Sequence, residues 1–307
     1  MGLRIRTNIQ SLNAQRNMSN STQQIGKITE RLSSGFRINR GADDAAGYAI
    51  SEVLRADIRS LAQARRNVND GVSLVEVAEG GLHEINNIMI RLRELSIQAA
   101  SDTIGSRERQ YLNQEFFQLK DEVDRIAMGT EFNGTRLLSG RTELTDELSM
   151  GHNYSPLEIQ VGKDYYLEAD SLEAPNPVNV IRLDLSNMNA FTEGEGSLGI
   201  GSAQNEDGTR IDTKRDAQLT INTLDSAMEK IASYRANLGA IQNRLETSDR
   251  SIAIQMENLG AAKSRIKDAD FAAETAKMTQ QQILQQAGAS VLAQANQQPQ
   301  IALKLLQ

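Results

Sequence analysis

The chain contains no cysteine and no tryptophan, and it holds two histidines and four prolines in 307 residues, with aromatics at 4%. Without cysteine there is no disulfide framework and no thiolate metal site, and the redox compartment stays undecided. His83 and His152 are the only histidines. They supply too little for a multi-histidine metal site or a Ser-His-Asp triad. With 39% hydrophobic residues and few large rings, little bulk is on hand for a compact core. No continuous apolar run follows Arg4 and Arg6, so neither a Sec-type signal peptide nor a membrane span is expected. Gly2 does not open a myristoylation motif, because residue 6 is Arg where Ser or Thr is needed.

Charge is low in one sign locally and high in the other globally. Residues 1–40 hold seven Lys or Arg and one Glu, a balance of +6, so the remainder carries −13 of the net −7. The basic residues are spread singly among Asn, Gln and Ser with one Phe, and stacking aromatics are missing. That pattern argues against nucleic-acid binding.

What is present is period seven. Leu224, Ile231, Leu238, Leu245, Ile252, Leu259 and Ile266 form one unbroken seam, and Leu54, Leu61, Val68, Val75, Leu82 and Met89 form another. Ile58, Val72, Ile85 and Leu92 fill intermediate positions of the second seam. Two long helices from opposite halves of the chain each need a partner, and each is the simplest partner for the other. Arg235, Gln242 and Asp249 sit on the second stripe of the later helix, which leaves room for alternative registers.

Both ends carry narrower stripes. Ile5, Ile9 and Leu12, then Ile25, Ile28 and Leu32, recur at helical spacing on Asn- and Gln-rich sequence. Ile283, Leu284, Ala287, Val291, Leu292 and Ala295 do the same near the other end, followed by Ile301, Leu305 and Leu306. Stripes this narrow are expected to stay disordered in a free monomer and to become helical only against a partner.

A third helix is predicted from Leu112, Phe116, Leu119, Val123 and Ile126, after a turn through Ser101 to Ser106. Asn133-Gly134 is a tight-turn dipeptide, and Leu157, Ile159, Val161 and Ile181, Leu183, Leu185 alternate as half-buried strands do. The expected fold is mainly α: a long antiparallel rod or coiled-coil bundle built by both chain ends, with a small β-rich insertion as an outer domain. The divisions are residues 1–45 with 268–307, residues 46–139 with 216–267, and the insertion at 140–215.

Alternative chemistry is weak. Gly194-Glu195-Gly196-Ser197-Leu198-Gly199 spells the dinucleotide fingerprint, yet no helical pattern opens after it and Glu195 would face the phosphates. A flexible glycine loop is the better reading. His83-Glu84 starts a zinc-protease motif whose second histidine is missing, since residue 87 is Asn. Asn17, Asn20, Asn133 and Asn153 fit a glycosylation pattern that is common by chance. No catalytic residue, metal site or cofactor is expected.

Leu32 to Gly47, LSSGFRINRGADDAAG, and Leu259 to Gln307, with SRIKDADFAAETAKM and QQQILQQAGASVLAQANQQPQ, resemble the two ends of bacterial flagellins. Arg66-Asn67, Asp70-Gly71, Glu79-Gly80 and Glu131-Phe132-Asn133-Gly134 extend the resemblance, which covers residues 1–139 and 216–307. Arg40 and Gly41 depart from the Ser and Ala usual in the family. The resemblance implies a secreted subunit that self-assembles into the helical flagellar filament, the propeller of motility, with a hook-filament junction protein as the alternative. A secreted adhesin or effector on a coiled-coil rod would need a larger ordered insertion. The implied partners are further copies of the chain, the flagellar type III export apparatus, an export chaperone at the C-terminal segment, and cap and junction proteins. Extracellular localisation without a cleaved signal peptide follows from the same resemblance, and neither nucleic acid nor membrane insertion is implied. A surface recognised by a host Toll-like receptor maps onto Arg91, Leu95 and Glu115, against which stands an ordinary ion pair of Arg91 and Glu115 beside a seam leucine.

Overall fold

The structure, a computed structural model, describes residues 8–140, 157–164, 178–185, 188–194, 196–202 and 208–305, with side chains as far as residue 297. Ile5, Leu306, His152, Asn153 and Glu195 lie outside the described residues, as does the side chain of Leu305. Five helices and two small strand pairs follow in order: α1 (Ile9–Ser34), α2 (Ala45–Ala99), α3 (Ser106–Gly129), β1 (Glu131–Phe132), β2 (Thr135–Arg136), β3 (Leu157–Gln160), β4 (Val180–Leu183), α4 (Lys214–Lys267) and α5 (Phe271–Leu305). They divide into two compact units, Met1–Arg59 with Glu257–Gln307, and Ser60–Met256.

In the second unit the period-seven seams are the core. Leu61, Val68, Val75, Leu82 and Met89 of α2 are buried, as are Leu224, Ile231, Leu238, Leu245 and Ile252 of α4. Ile85 and Leu92 are buried too, while Val72 is half-buried. Three cross-helix ion pairs fix the antiparallel register: Arg65 to Asp249 at 2.8 Å, Arg235 to Glu79 at 3.4 Å and Arg93 to Asp225 at 2.6 Å. Two of the polar residues expected to loosen the register therefore specify it, because each finds an opposite charge on the facing helix. Exposed pairs of this kind contribute only about 0.2–1 kcal/mol each, so the apolar seam supplies the stability and the charges select the alignment.

The third helix is observed as predicted, but its buried stripe is rotated. Phe116, Lys120, Val123 and Ala127 are buried, whereas Leu112, Leu119 and Ile126 are half-buried. A charged residue thus occupies a core position that a pattern of apolar letters passes over. Beyond α3, Asn133 at φ 50° and Gly134 at φ 78° turn β1 into β2, both angles positive as a type I′ turn requires.

Of the insertion, β3 and β4 pair antiparallel with Leu157 opposite Leu183 and Ile159 opposite Ile181. The sheet lies close to α2 because Gly71 has no side chain: a Cβ there would stand 2.4 Å from Ile159 Cδ1 and 3.5 Å from Leu245 Cδ1. Asn67 Nδ2 also donates to the Gln160 carbonyl at 3.2 Å.

In the first unit α1 and α5 run antiparallel, as Asn8 Nδ2 donating to the Ala295 carbonyl (2.7 Å) and Gln285 Nε2 donating to Thr22 Oγ1 (3.2 Å) show. The less exposed residues alternate by three and four on each: Ser11, Ala14, Met18, Ser21, Ile25 and Ile28 on α1, Glu274, Met278, Gln281, Gln285, Gly288, Leu292 and Ala295 on α5. The unit closes where both helices turn back. Gly35 caps α1 at φ 72°, Phe36 bridges Asp268, and the Arg37 N–H donates to the Lys267 carbonyl at 2.7 Å. The Lys267 ammonium lies 5.3 Å from the Phe36 ring centre, 5.7 Å from that of Tyr48, and 3.2 Å from Glu52. Asp43 accepts the N–H groups of Arg40 and Asn39, which hold its carboxyl below the usual range, and Asp44 accepts the Gly47 N–H at the start of α2. The unusual Arg40 is accommodated by a fork to Glu30 at 3.1 and 2.9 Å. Leu54, Leu259 and Ile266, the seam residues in this unit, are only half-buried.

Gly71→Val is expected to lower the stability of the second unit by about 1–3 kcal/mol through overpacking against Ile159. In urea unfolding, adding Ile159→Ala is expected to recover part of that loss, giving a non-additive double-mutant cycle.

Candidate assembly surface

The α1 and α5 pair buries little of its own apolar content. Ala14, Ile28 and Ala295 are buried and Leu292 is half-buried, but Ile9, Leu12, Ile283, Leu284 and Val291 are 48–59% exposed. The sequence stripe thus splits into two faces: one turned to the partner helix, one turned outward. The inward face is mixed: Ala14, Met18, Ile25, Ile28, Met278, Leu292 and Ala295 share it with Ser11, Ser21, Gln281, Gln285 and Gly288. Glu274, 4% exposed, lies there as well, its Oε1 3.8 Å from Arg31 and 2.9 Å from Lys277 while Oε2 has no partner. A carboxylate at such a position aligns the two helices at a cost in stability. Phe271, at 68% exposure, extends the outward apolar surface at the start of α5.

The three receptor-surface residues are brought to one place in the second unit, but not on equal terms. Arg91 Nη2 and Nε reach Glu115 Oε1 at 2.8 and 3.1 Å, and Nη1 reaches Glu94 at 3.1 Å. These side chains are about half exposed, and the paired carboxylates hold the Arg91 guanidinium above its usual range. Leu95 is fully buried. The expectation that it forms part of a contact surface is corrected: its position on α2 turns it into the core, one turn beyond Leu92. His83 is exposed beside buried Leu82. Gly194, Gly196 and Gly199 all have positive φ and lie in a loop, where glycine is the default residue, with no helix opening after them.

A group that the sequence pattern passed over is the buried Lys120. Its ammonium donates to the carbonyls of Ile200, Ser202 and Thr209 at 3.2, 3.3 and 3.3 Å, and the rings of Phe116 and Phe117 stand 5.8 and 5.7 Å away. One turn on, Asp124 accepts the Thr192 N–H at 2.8 Å and its hydroxyl at 2.7 Å. From α4, Lys230 donates to the Ser197 carbonyl at 2.6 Å and Thr220 to the Arg210 carbonyl at 2.9 Å. Phe191, Leu198, Ile200 and Ile211 fill the apolar part of this seat. The lysine sits among apolar residues at heptad-like spacing, and only its failure to fit that stripe marked it.

Family models for the N-terminal and C-terminal helical regions of bacterial flagellin match residues 5–143 and 221–306. The chain belongs to the bacterial flagellin family. It is 40% identical over 302 residues to a flagellin of Halalkalibacterium halodurans, covering 98% of this chain and 99% of that one. It is 39% identical over 321 residues to a flagellin of Bacillus subtilis, covering 99% and 100%. Among solved structures, a protein described as flagellar hook-associated, from Vibrio parahaemolyticus, covers 74% of this chain and all of its own at 14% identity and a TM-score of 0.54, a likeness of fold alone. The chain is therefore a structural subunit of the flagellar filament and not an enzyme, and nothing favours the junction-protein alternative. No helix among the described residues is long and apolar enough to cross a membrane.

Because Arg91 and Glu115 are half exposed, Arg91→Ala or Glu115→Ala is expected to change unfolding free energy by no more than about 1 kcal/mol. Leu95→Ala, in contrast, is expected to cost about 2–5 kcal/mol. Thermal or urea unfolding of the three variants checks this division between surface and core.

Proposed function

We propose that the outward faces of α1 and α5 are the surfaces by which copies of the chain join into the filament. On this reading residues 1–45 with 268–307 form its inner tube, residues 46–139 with 216–267 the surrounding shell, and residues 140–215 the outer part. The observation that carries it is the exposure of Ile9, Leu12, Leu284 and Val291 on helices whose mutual seam is partly polar. Apolar side chains left outside a helix pair gain about 1.5–3 kcal/mol each on full burial, which is enough to couple ordering of the pair to subunit addition. Contacts between unlike faces of successive subunits propagate an open helix wherever the rotation between subunits does not close into a ring.

The finer roles rest on family membership. The chain leaves the cell unfolded through the type III export apparatus without a cleaved signal peptide, its C-terminal segment held by an export chaperone, and adds beneath the cap above the junction proteins. Recognition by a host Toll-like receptor is proposed for Arg91 and Glu115, with Leu95 acting only by shaping the helix beneath them.

Seeding purified chain with filament fragments tests the assembly surface. Growth followed by light scattering is expected to coincide with a gain in helical circular dichroism, and to be lost when residues 1–40 and 268–307 are removed. Ile9→Asp combined with Val291→Asp is expected to slow elongation by about tenfold or more, each lost apolar contact being equivalent to about a decade in affinity. Unchanged growth of that double variant, with its helix content intact, would overturn the assignment; arrest at small rings would point to a junction-like assembly.

A further inference from the structure

The polar contacts that hold the inserted segment on the helices end almost entirely on its main chain. Lys120 meets three carbonyls, Lys230 one and Asp124 an N–H, with the hydroxyls of Thr192 and Thr209 the side-chain exceptions. An ammonium has three N–H donors and no acceptor, and at Lys120 each donor has a carbonyl within 3.3 Å. Positions 120 and 124 are one turn apart on α3, so the ammonium and the carboxylate grip the segment side by side. We propose that Lys120 is the positioning residue of a main-chain socket, which seats residues 188–194, 196–202 and 208–211 on α3 and α4 chiefly through their backbone, with the Thr192 and Thr209 hydroxyls as side-chain contacts.

A socket of this kind fits an outer segment whose polar side chains are free to differ while its seat stays the same. Removing the lysine strips the partners from three carbonyls at once, whereas changing a side chain of the segment leaves them in place. The charge itself gives the seat a second mark. Burial lowers Lys120 to about 8, opposed by Asp124, Asp121 and Glu193 and reinforced by Arg210, while the same side chain in water has 10.5. Releasing the segment therefore takes up a proton between those values, so opening becomes less favourable as pH rises through that window and is insensitive to it below. Among the described residues of α4, the Lys230 ammonium donates to the Ser197 carbonyl, and the Tyr234 hydroxyl, held above its usual range by burial, faces the Gly196 carbonyl.

Millisecond hydrogen exchange on the full-length monomer tests this. The amides to follow are those of Leu198, Gly201 and Thr209, which donate within the segment to Phe191, Thr192 and Ile200. After correction for intrinsic rates, with α2 amides as the internal reference, wild-type protection is expected to rise from pH 8 to 9.5 by at most about tenfold per unit. Lys120→Met is expected to be about tenfold or more less protected at pH 7 and flat across that window. Asp124→Asn, a milder change, is expected to start the rise at lower pH, because it removes the nearest charge that holds the proton on Lys120. Wild-type protection in Lys120→Met, an unaltered slope in that variant, or an unmoved onset in Asp124→Asn would each overturn the socket.

Discussion

Everything in the second unit depends on one burial: the aliphatic seam of α2 against that of α4. With no tryptophan and few aromatics, the seam is built from Leu, Ile, Val and Met, side chains that fill a narrow strip between two helices but no wider core. Each such residue contributes about 1.5–3 kcal/mol when fully buried, and period seven keeps the strip continuous from Leu61 to Met89 and from Leu224 to Ile252. The third helix, the β1–β2 hairpin and the strands of the insertion all attach to helices that this seam has already made rigid. Gly71 illustrates the dependence, since it lets Ile159 of β3 approach α2 at the level of Leu245.

The long helices and the hairpin were legible because their signals are local. Heptad spacing names the buried residues of α2 and α4, and Asn133-Gly134 names a turn whose φ angles few other pairs adopt. What was illegible required knowing a partner. The α3 stripe was read from its apolar letters, but the core selected Lys120 and Ala127 over Leu119 and Ile126, because the carbonyls that satisfy the ammonium come from a segment about eighty residues later. Leu95 shows the converse. Residue spacing placed it near Arg91, yet sharing a helix with an exposed residue four positions away does not make a residue exposed when the face is curved into a core.

Charge divides its work in the same way. Arg65, Arg93 and Arg235 sit on the rims of the α2 and α4 seam, where water screens them and their pairs choose alignment more than they stabilise. Lys120 is removed from water, where the balance differs: desolvation opposes the charge, three carbonyls and two aromatic faces support it, and the net effect is specificity for one backbone path.

The helix pair of the first unit is less fully buried than that of the second, which suits its proposed role in joining subunits. In α2 and α4 a continuous apolar seam is buried, although Val53, Ile97, Leu219 and Ile254 remain exposed on the other side. In α1 and α5 serines, glutamines, a glycine and Glu274 share the seam with Ala14, Met18, Ile25, Ile28, Met278, Leu292 and Ala295, while Ile9, Leu12, Leu284 and Val291 are left outside. On the proposed reading such a pair gains further burial from a neighbouring subunit, since its outward face carries apolar side chains. Swapping the two sets would give a self-sufficient hairpin with nothing left to offer a neighbour. If those outward faces join copies of the chain, as proposed, burial missing in the subunit is supplied by its neighbours, and ordering of the pair is coupled to addition.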